Sequence, residues 1–94
     1  MEEQEKGPAL DVFDHAAQSL DVWAAIAWSK LGLSPDLMNG TISQDLAQAK
    51  TAIDIAASLA GIIENRLEPD DRRKVQGLVR DLQINFVQKS KEGT

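Results

Sequence analysis

Residues 43–67 read SQDLAQAKTAIDIAASLAGIIENRL, and their periodicity decides the architecture. Leu46, Ala49, Ile53, Ala56, Ala60, Ile63 and Leu67 follow one another in alternating steps of three and four. That spacing keeps side chains on one face of an α-helix and makes a heptad seam. Small residues in the seam favour close helix approach. Ile55, Leu59 and Ile62 lie beside it and widen the apolar arc to about half the circumference, so the helix needs neighbours on two sides. Ser43 is a good N-cap, with Asp45 placed in the first turn where a carboxylate meets the positive end of the macrodipole. The periodicity predicts an end near Glu64 and Asn65, with Asn65 in the left-handed capping conformation that asparagine tolerates.

Outward from this segment, Pro8, Pro35 and Pro69 each mark a boundary, since proline is excluded from helix interiors. Pro69 opens a third helix as its first residue, with Asp70 and Asp71 at its positive end and Lys89 and Lys91 near its negative one. Its core face is Val75, Leu78, Val79, Leu82 and Phe86. On the other side, a first helix is predicted from Leu10 to Leu31. Its core stripe begins at Phe13, Ala16, Ala17 and Leu20, and continues through Trp23, Ala24, Ala27, Trp28 and Leu31. Gly32 suits the left-handed position that follows a helix, with Leu33 packing back on Trp28. Ser34-Pro35-Asp36 and Asn39-Gly40 mark turns in a long connection from Leu33 to Ile42, whose Leu37, Met38 and Ile42 are available to tuck against the core. The fold expected is an all-α domain of three helices over residues 10–90, in which the first helix crosses a hairpin of the second and third, packed in an oligomer. Residues 1–9 and 91–94 are expected to be disordered tails.

The chain has 94 residues, 43% of them hydrophobic but only 4% aromatic, so one small core packed through alanine is the natural outcome. No cysteine is present, which excludes disulfides, thiolate metal sites and a thiol nucleophile. A single histidine excludes a multi-histidine metal site. The net charge is −5, but residues 1–65 hold three Lys/Arg against ten Asp/Glu, and residues 66–94 hold seven against five. Any phosphate or anionic lipid would have to be met by the C-terminal segment, which makes nucleic acid and membrane poor partners. The start of the chain lacks the pattern of a secretory signal, and no continuous apolar run approaches membrane-spanning length. A cytoplasmic location follows as the expectation.

Candidate chemistry is sparse. Asp11 and His15 share a helix face and could hold a cation or form an acid/base pair, although two ligands at a helix start make an incomplete shell, and a local ion pair is the plainer reading. Asp54 stands among apolar residues, yet its spacing puts it on a polar arc with Lys50 and Ser58, where a surface salt bridge explains it better than a buried, tuned acid. Gly61 and Gly77 lie within helices at a cost of about 1 kcal/mol each and suggest close helix approach. Arg72, Arg73 and Lys74 form a basic cluster read as solvated surface rather than a phosphate site. Trp23 and Trp28 are read as packing residues. No catalytic, cofactor-binding or metal-ligating residue is assigned, no cofactor is expected, and the chain is not expected to be an enzyme.

The informative residues are those left over once each helix has buried one face. Val22 and Ile26 lie on a flank of the first helix, Ile55, Leu59 and Ile62 on a flank of the second, and Ile84 and Val87 opposite Leu82 on the third. Helix crossing within one copy could bury them, but three flanks together favour a subunit interface. Asp14 and Asp21, seven apart on the first helix, and Arg73 and Arg80, seven apart on the third, form stripes able to set register between copies without driving association. The partner expected is a second copy, and beyond it another protein. A membrane-surface or phosphate-binding module using the third helix is the alternative, and a carboxylate or metal enzyme a distant one.

The run Asp45-Leu46-Ala47-Gln48-Ala49-Lys50-Thr51-Ala52-Ile53-Asp54, then Asn65-Arg66-Leu67 and Leu82-Gln83-Ile84-Asn85-Phe86-Val87, resembles the bacterial domain-of-unknown-function family numbered 1844. The resemblance spans about residues 20–88 and is looser in the first helix, where Leu31-Gly32 carries it. It implies a small, cysteine-poor, all-helical bacterial protein and supplies no functional residues. The family pattern has glycine where Asn65 stands and threonine or serine where Glu68 stands, which implies a less well capped turn and a frayed start to the third helix.

Overall fold

The computed structural model describes residues 7–92, with no strand among them. Three helices carry the chain: α1 over Val12–Lys30, α2 over Leu46–Ile63 and α3 over Pro69–Glu92, with a single 3-10 turn at Glu64–Arg66 between the last two. The tails expected at the termini fall largely outside the described residues, while α3 itself runs two residues past the boundary at 90.

α1 starts two residues later than its apolar pattern, because Asp11 caps it. One Asp11 carboxylate oxygen accepts from the backbone N–H groups of Phe13 at 2.8 Å and Asp14 at 3.0 Å. The helix ends as the sequence indicates. Gly32 has φ +82°, its N–H donates to the Ser29 carbonyl and the Leu33 N–H to the Trp28 carbonyl, the double closure of a Schellman motif. A Cβ on Gly32 would meet Gln44 at 3.4 Å, so the same residue lets the connection return closely past the helix end.

The connection departs from expectation in two ways. Leu37, Met38 and Ile42 do not tuck in; Met38 is 94% exposed. Asp36 and Asn39 close the segment on itself through side-chain bonds to the amides of Met38, Asn39 and Thr41, and that local turn directs the apolar side chains outward. The cap of α2 is Asp45, not Ser43: its carboxylate accepts from the Gln48 N–H at 3.0 Å. Both residue types cap well, and a tether chooses between them. The Asp45 N–H donates to the Lys30 carbonyl and the Gln44 side-chain amide to the Leu31 carbonyl, holding the chain extended up to Asp45.

α2 is the central element. Ala49, Ala52, Ile53, Ala56, Ala60 and Ile63 are buried on it, in one core with Leu20, Ala24 and Ala27 of α1, Leu31 just after α1, and Leu82 of α3. α1 lies antiparallel along α2 and also meets α3. Leu46 and Leu67, the ends of the seam, are half-buried against this core, as are Trp23 and Trp28.

The turn between α2 and α3 corrects three readings. Asn65 is not left-handed, since no non-glycine residue has positive φ; the helix tightens into the 3-10 turn and leaves through extended Leu67. Arg72 is not simply solvated. Its guanidinium donates to the Glu64 carbonyl at 3.0 Å, which also accepts from the Leu67 N–H, and to the Leu67 carbonyl at 3.2 Å, so a side chain of α3 ties down the turn that follows α2. Gln76 adds a bond to the Glu64 carboxylate at 2.8 Å. Glu68, a poor capping side chain, still lends its carbonyl to the Arg72 N–H, and Pro69 opens α3 as expected.

Gly61 and Gly77 do not mark close approach. A Cβ at Gly61 meets nothing within 4 Å, and one at Gly77 meets only the flexible Arg80 side chain at 3.5 Å. Alanine, not glycine, lines the helix contact. Gly61→Ala should therefore stabilise the fold by roughly 0.5–1 kcal/mol, read as a shift in the urea midpoint. Arg72→Ala should destabilise by about 2 kcal/mol in the same titration, through two lost charge-assisted bonds. Arg72→Lys should recover little of that, because one ammonium does not reproduce the guanidinium fork.

Candidate interaction surface

The outer flanks of the helices hold the residues singled out in the sequence, and the structure sorts them into two surfaces. On the first, Ile26 of α1 and Ile55 of α2 line one open groove of about 360 Å³, together with Trp23, Lys30, Gln48 and Thr51. Val22, one turn from Ile26, is 54% exposed, and Ile62, two turns from Ile55, is 57% exposed. Leu59 between them is half-buried and packs on the core. Ile26 also forms the ridge between this groove and a smaller cleft lined by Ser29, Asp36, Leu37 and Met38. The outward turn of the connection thus adds to the same apolar flank of α1.

The second surface belongs to α3. Ile84 and Val87 lie beside Arg80, Gln83, Gln88 and Lys91 on the side away from the core. Val87 also borders a furrow between α3 and α2 lined by Lys50, Ile53, Asp54 and Phe86. So the seven apolar flank residues do not form one patch: those of α1 and α2 join, and those of α3 stand apart.

Charge is distributed unequally over the two. Asp14 and Asp21 are exposed on α1, on the opposite side of its core stripe from Ile26. Neither pairs with Arg73 or Arg80 within the chain. Arg73 pairs with Asp70 of its own helix. Lys50 Nζ is 2.8 Å from Asp54 Oδ2, both well exposed, which is the surface salt bridge the spacing suggests and contributes under about 0.5 kcal/mol. Arg66 lies 3.8 Å from the centre of the Phe13 ring and fastens the start of α1 to the far end of α2, worth about 1 kcal/mol in a partly exposed setting. No sequence pattern announces that pairing, since its partners are 53 positions apart.

Asp11 and His15 do not make a site. The Asp11 carboxylate is engaged as a helix cap, His15 is exposed, and among the described residues no three His, Cys, Asp or Glu side chains converge to hold a metal. The segment Leu46–Arg66 calls for a correction of a different kind. At 21 residues and a mean hydropathy of 1.3 it is long and apolar enough to cross a membrane. Continuous runs miss this because Lys50 and Asp54 interrupt them. In this fold the same helix is the middle of the core, with both neighbours packed against it.

Residues 10–88 match the family described as Domain of unknown function (DUF1844). The chain belongs to that family. No curated protein and no solved structure matches it. The DUF1844 match runs from just before α1 to within one turn of the end of α3, so it includes both apolar surfaces apart from Lys91.

Asp36 is more acidic than an ordinary carboxylate. Bonds from the Met38 and Asn39 amides hold it below its ordinary value, helped by Lys30, whose ammonium is 3.7 Å away; partial burial opposes them. The folded chain favours the ionised form, so the stabilisation is complete above the ordinary carboxylate range and is lost as pH falls through the lowered folded value. Acid titration followed by NMR should shift the Met38 and Asn39 amide resonances together below that ordinary range, and Asp36→Asn should abolish the coupled step.

Proposed function

We propose that this chain is a small bacterial, cytoplasmic, non-catalytic domain whose work is protein interaction, with itself first and through that assembly with another protein. One observation carries this: Val22, Ile62, Ile84 and Val87 each lie about half or more exposed on regular helix, at 47–57%. The core does not need them where they stand. Scattered exposed aliphatics are ordinary, but here two of them continue a groove already lined by Trp23, Ile26 and Ile55.

A module for membrane surfaces or phosphate groups, built on α3, is the second reading, supported by Ile84 and Val87 beside Arg80. Much of its basic charge is already committed: Arg72 to two carbonyls, Arg73 to Asp70, and Lys89 to Glu92 at 3.4 Å. Self-association therefore stands first. Sedimentation equilibrium across a hundredfold range of concentration should give a mass of at least two chains; a single 10.3 kDa species throughout would end the reading. Salt-sensitive binding to anionic vesicles, in place of self-association, would transfer it to α3.

A further inference from the structure

We infer that Asn39 and Gly40 form a self-modifying junction: in the folded chain the Gly40 backbone nitrogen closes on the Asn39 carboxamide, and position 39 is converted to aspartate and isoaspartate without an enzyme. This chemistry is independent of the self-association proposed above.

An asparagine is open to this reaction when the next backbone nitrogen can reach its side-chain carbon. Gly40 offers that approach the least obstruction. It has φ +72°, carries no Cβ, and has nothing within 4 Å of where one would stand. Asn39, Gly40 and Thr41 are all exposed, so solvent reaches the junction. The Asn39 side chain is folded along the chain, its Oδ1 accepting from the Thr41 N–H at 3.0 Å and from the Thr41 hydroxyl at 2.8 Å. Those bonds span Gly40 and hold the carboxamide carbon near the nitrogen that lies between their ends. The same two donors meet the oxygen on which negative charge develops as the ring closes. One bond opposes the reaction: the Gly40 N–H donates to the Asp36 carbonyl at 2.9 Å and must be released first. It belongs to an exposed turn, where local opening costs little.

The chain's other asparagines lack these conditions. Asn65 is followed by Arg66 within the 3-10 turn. Asn85 is half-buried inside α3 with Phe86 next to it, and its amide donates to the Asp81 carbonyl at 2.8 Å.

The Gly40 nitrogen loses its proton and bonds to Asn39 Cγ. The Cγ–Nδ2 bond breaks, and Nδ2 leaves as ammonia with that proton, giving a cyclic imide. Water then opens the ring at either carbonyl. Opening at Cγ leaves aspartate, and opening at the main-chain carbonyl leaves isoaspartate, through which the main chain now runs by way of the side chain. Both products place a new carboxylate beside Asp36. Isoaspartate also lengthens the main chain by a methylene, so the bonds that close the turn cannot all be kept. The outward setting of Leu37 and Met38, beside Ile26 on the flank of α1, depends on that turn. A slow chemical change is thus built into one edge of the apolar surface.

The test is an incubation of the folded full chain in neutral buffer, followed by peptide mapping with mass spectrometry. Asn39 should exchange its amide for a carboxylate at least about tenfold faster than Asn65 or Asn85, giving products of equal mass that chromatography separates. Gly40→Ala should slow the change by about tenfold or more, because a Cβ obstructs the nitrogen. Asn39→Gln, which leaves the backbone of the turn unstrained, should abolish it, and circular dichroism confirms that each variant keeps its helix content. As isoaspartate accumulates, a second set of Met38 and Thr41 amide resonances should appear while that of Ala56 in the core stays single. An Asn39 that persists as long as Asn65 and Asn85, an unchanged rate in Gly40→Ala, or conversion confined to chain unfolded in urea would overturn the inference.

Discussion

The contact between α1 and α2 is built from alanine, and the rest of the molecule is arranged around that fact. Ala24 and Ala27 on one helix and Ala49, Ala52 and Ala56 on the other are all buried, which lets two backbones approach without bulky side chains between them. Close approach on small residues gives many dispersion contacts per unit length but removes little apolar area per residue from water. The larger side chains that would ordinarily fill the centre of such a domain are displaced to its flanks. Leu20, Leu31, Ile63 and Leu82 are the large residues fully enclosed, while isoleucines and valines of comparable size stand at or near the surface. The narrow core and the apolar exterior have one cause.

Helix identity was legible because it rests on periodicity, a property of neighbouring residues. The seam of α2, the Schellman closure at Gly32, the opening of α3 at Pro69 and the Lys50–Asp54 pair all follow from spacings of five or fewer. What went unread depends on residues brought together from a distance. Ser43 and Asp45 are equivalent caps until the Lys30 carbonyl selects between them. Arg72 looks like one of three adjacent cations until the turn after α2 presents it with the Glu64 and Leu67 carbonyls. Gly61 suggests a crowded helix contact only while the neighbour's position is unknown, and in the fold the space beside it is empty. Leu37 and Met38 are apolar enough for the core, and only the Asp36 and Asn39 turns decide that they point away from it.

The candidate surface shows the same division. Each flank could be named from helical spacing, whereas their grouping required the antiparallel register of α1 on α2, which sets Ile26 beside Ile55 and leaves Ile84 and Val87 elsewhere. Membership of DUF1844 adds a fold-level family without a described activity. The functional argument rests on the aliphatic side chains left exposed on regular helix.

α3 holds to the remainder by unequal means. It is the longest helix, at 24 residues, yet it contributes a single fully buried side chain, Leu82, and its beginning is secured by Arg72 and Gln76. Its far end, beyond Phe86, presents mostly half-exposed and exposed residues. Opening free energies track buried contacts, so hydrogen exchange and proteolytic access are graded along this helix, slowest around Leu82 and fastest at the exposed C-terminal turns. The domain is thus a firm pair of helices with a third pinned along its middle and loosest where it ends.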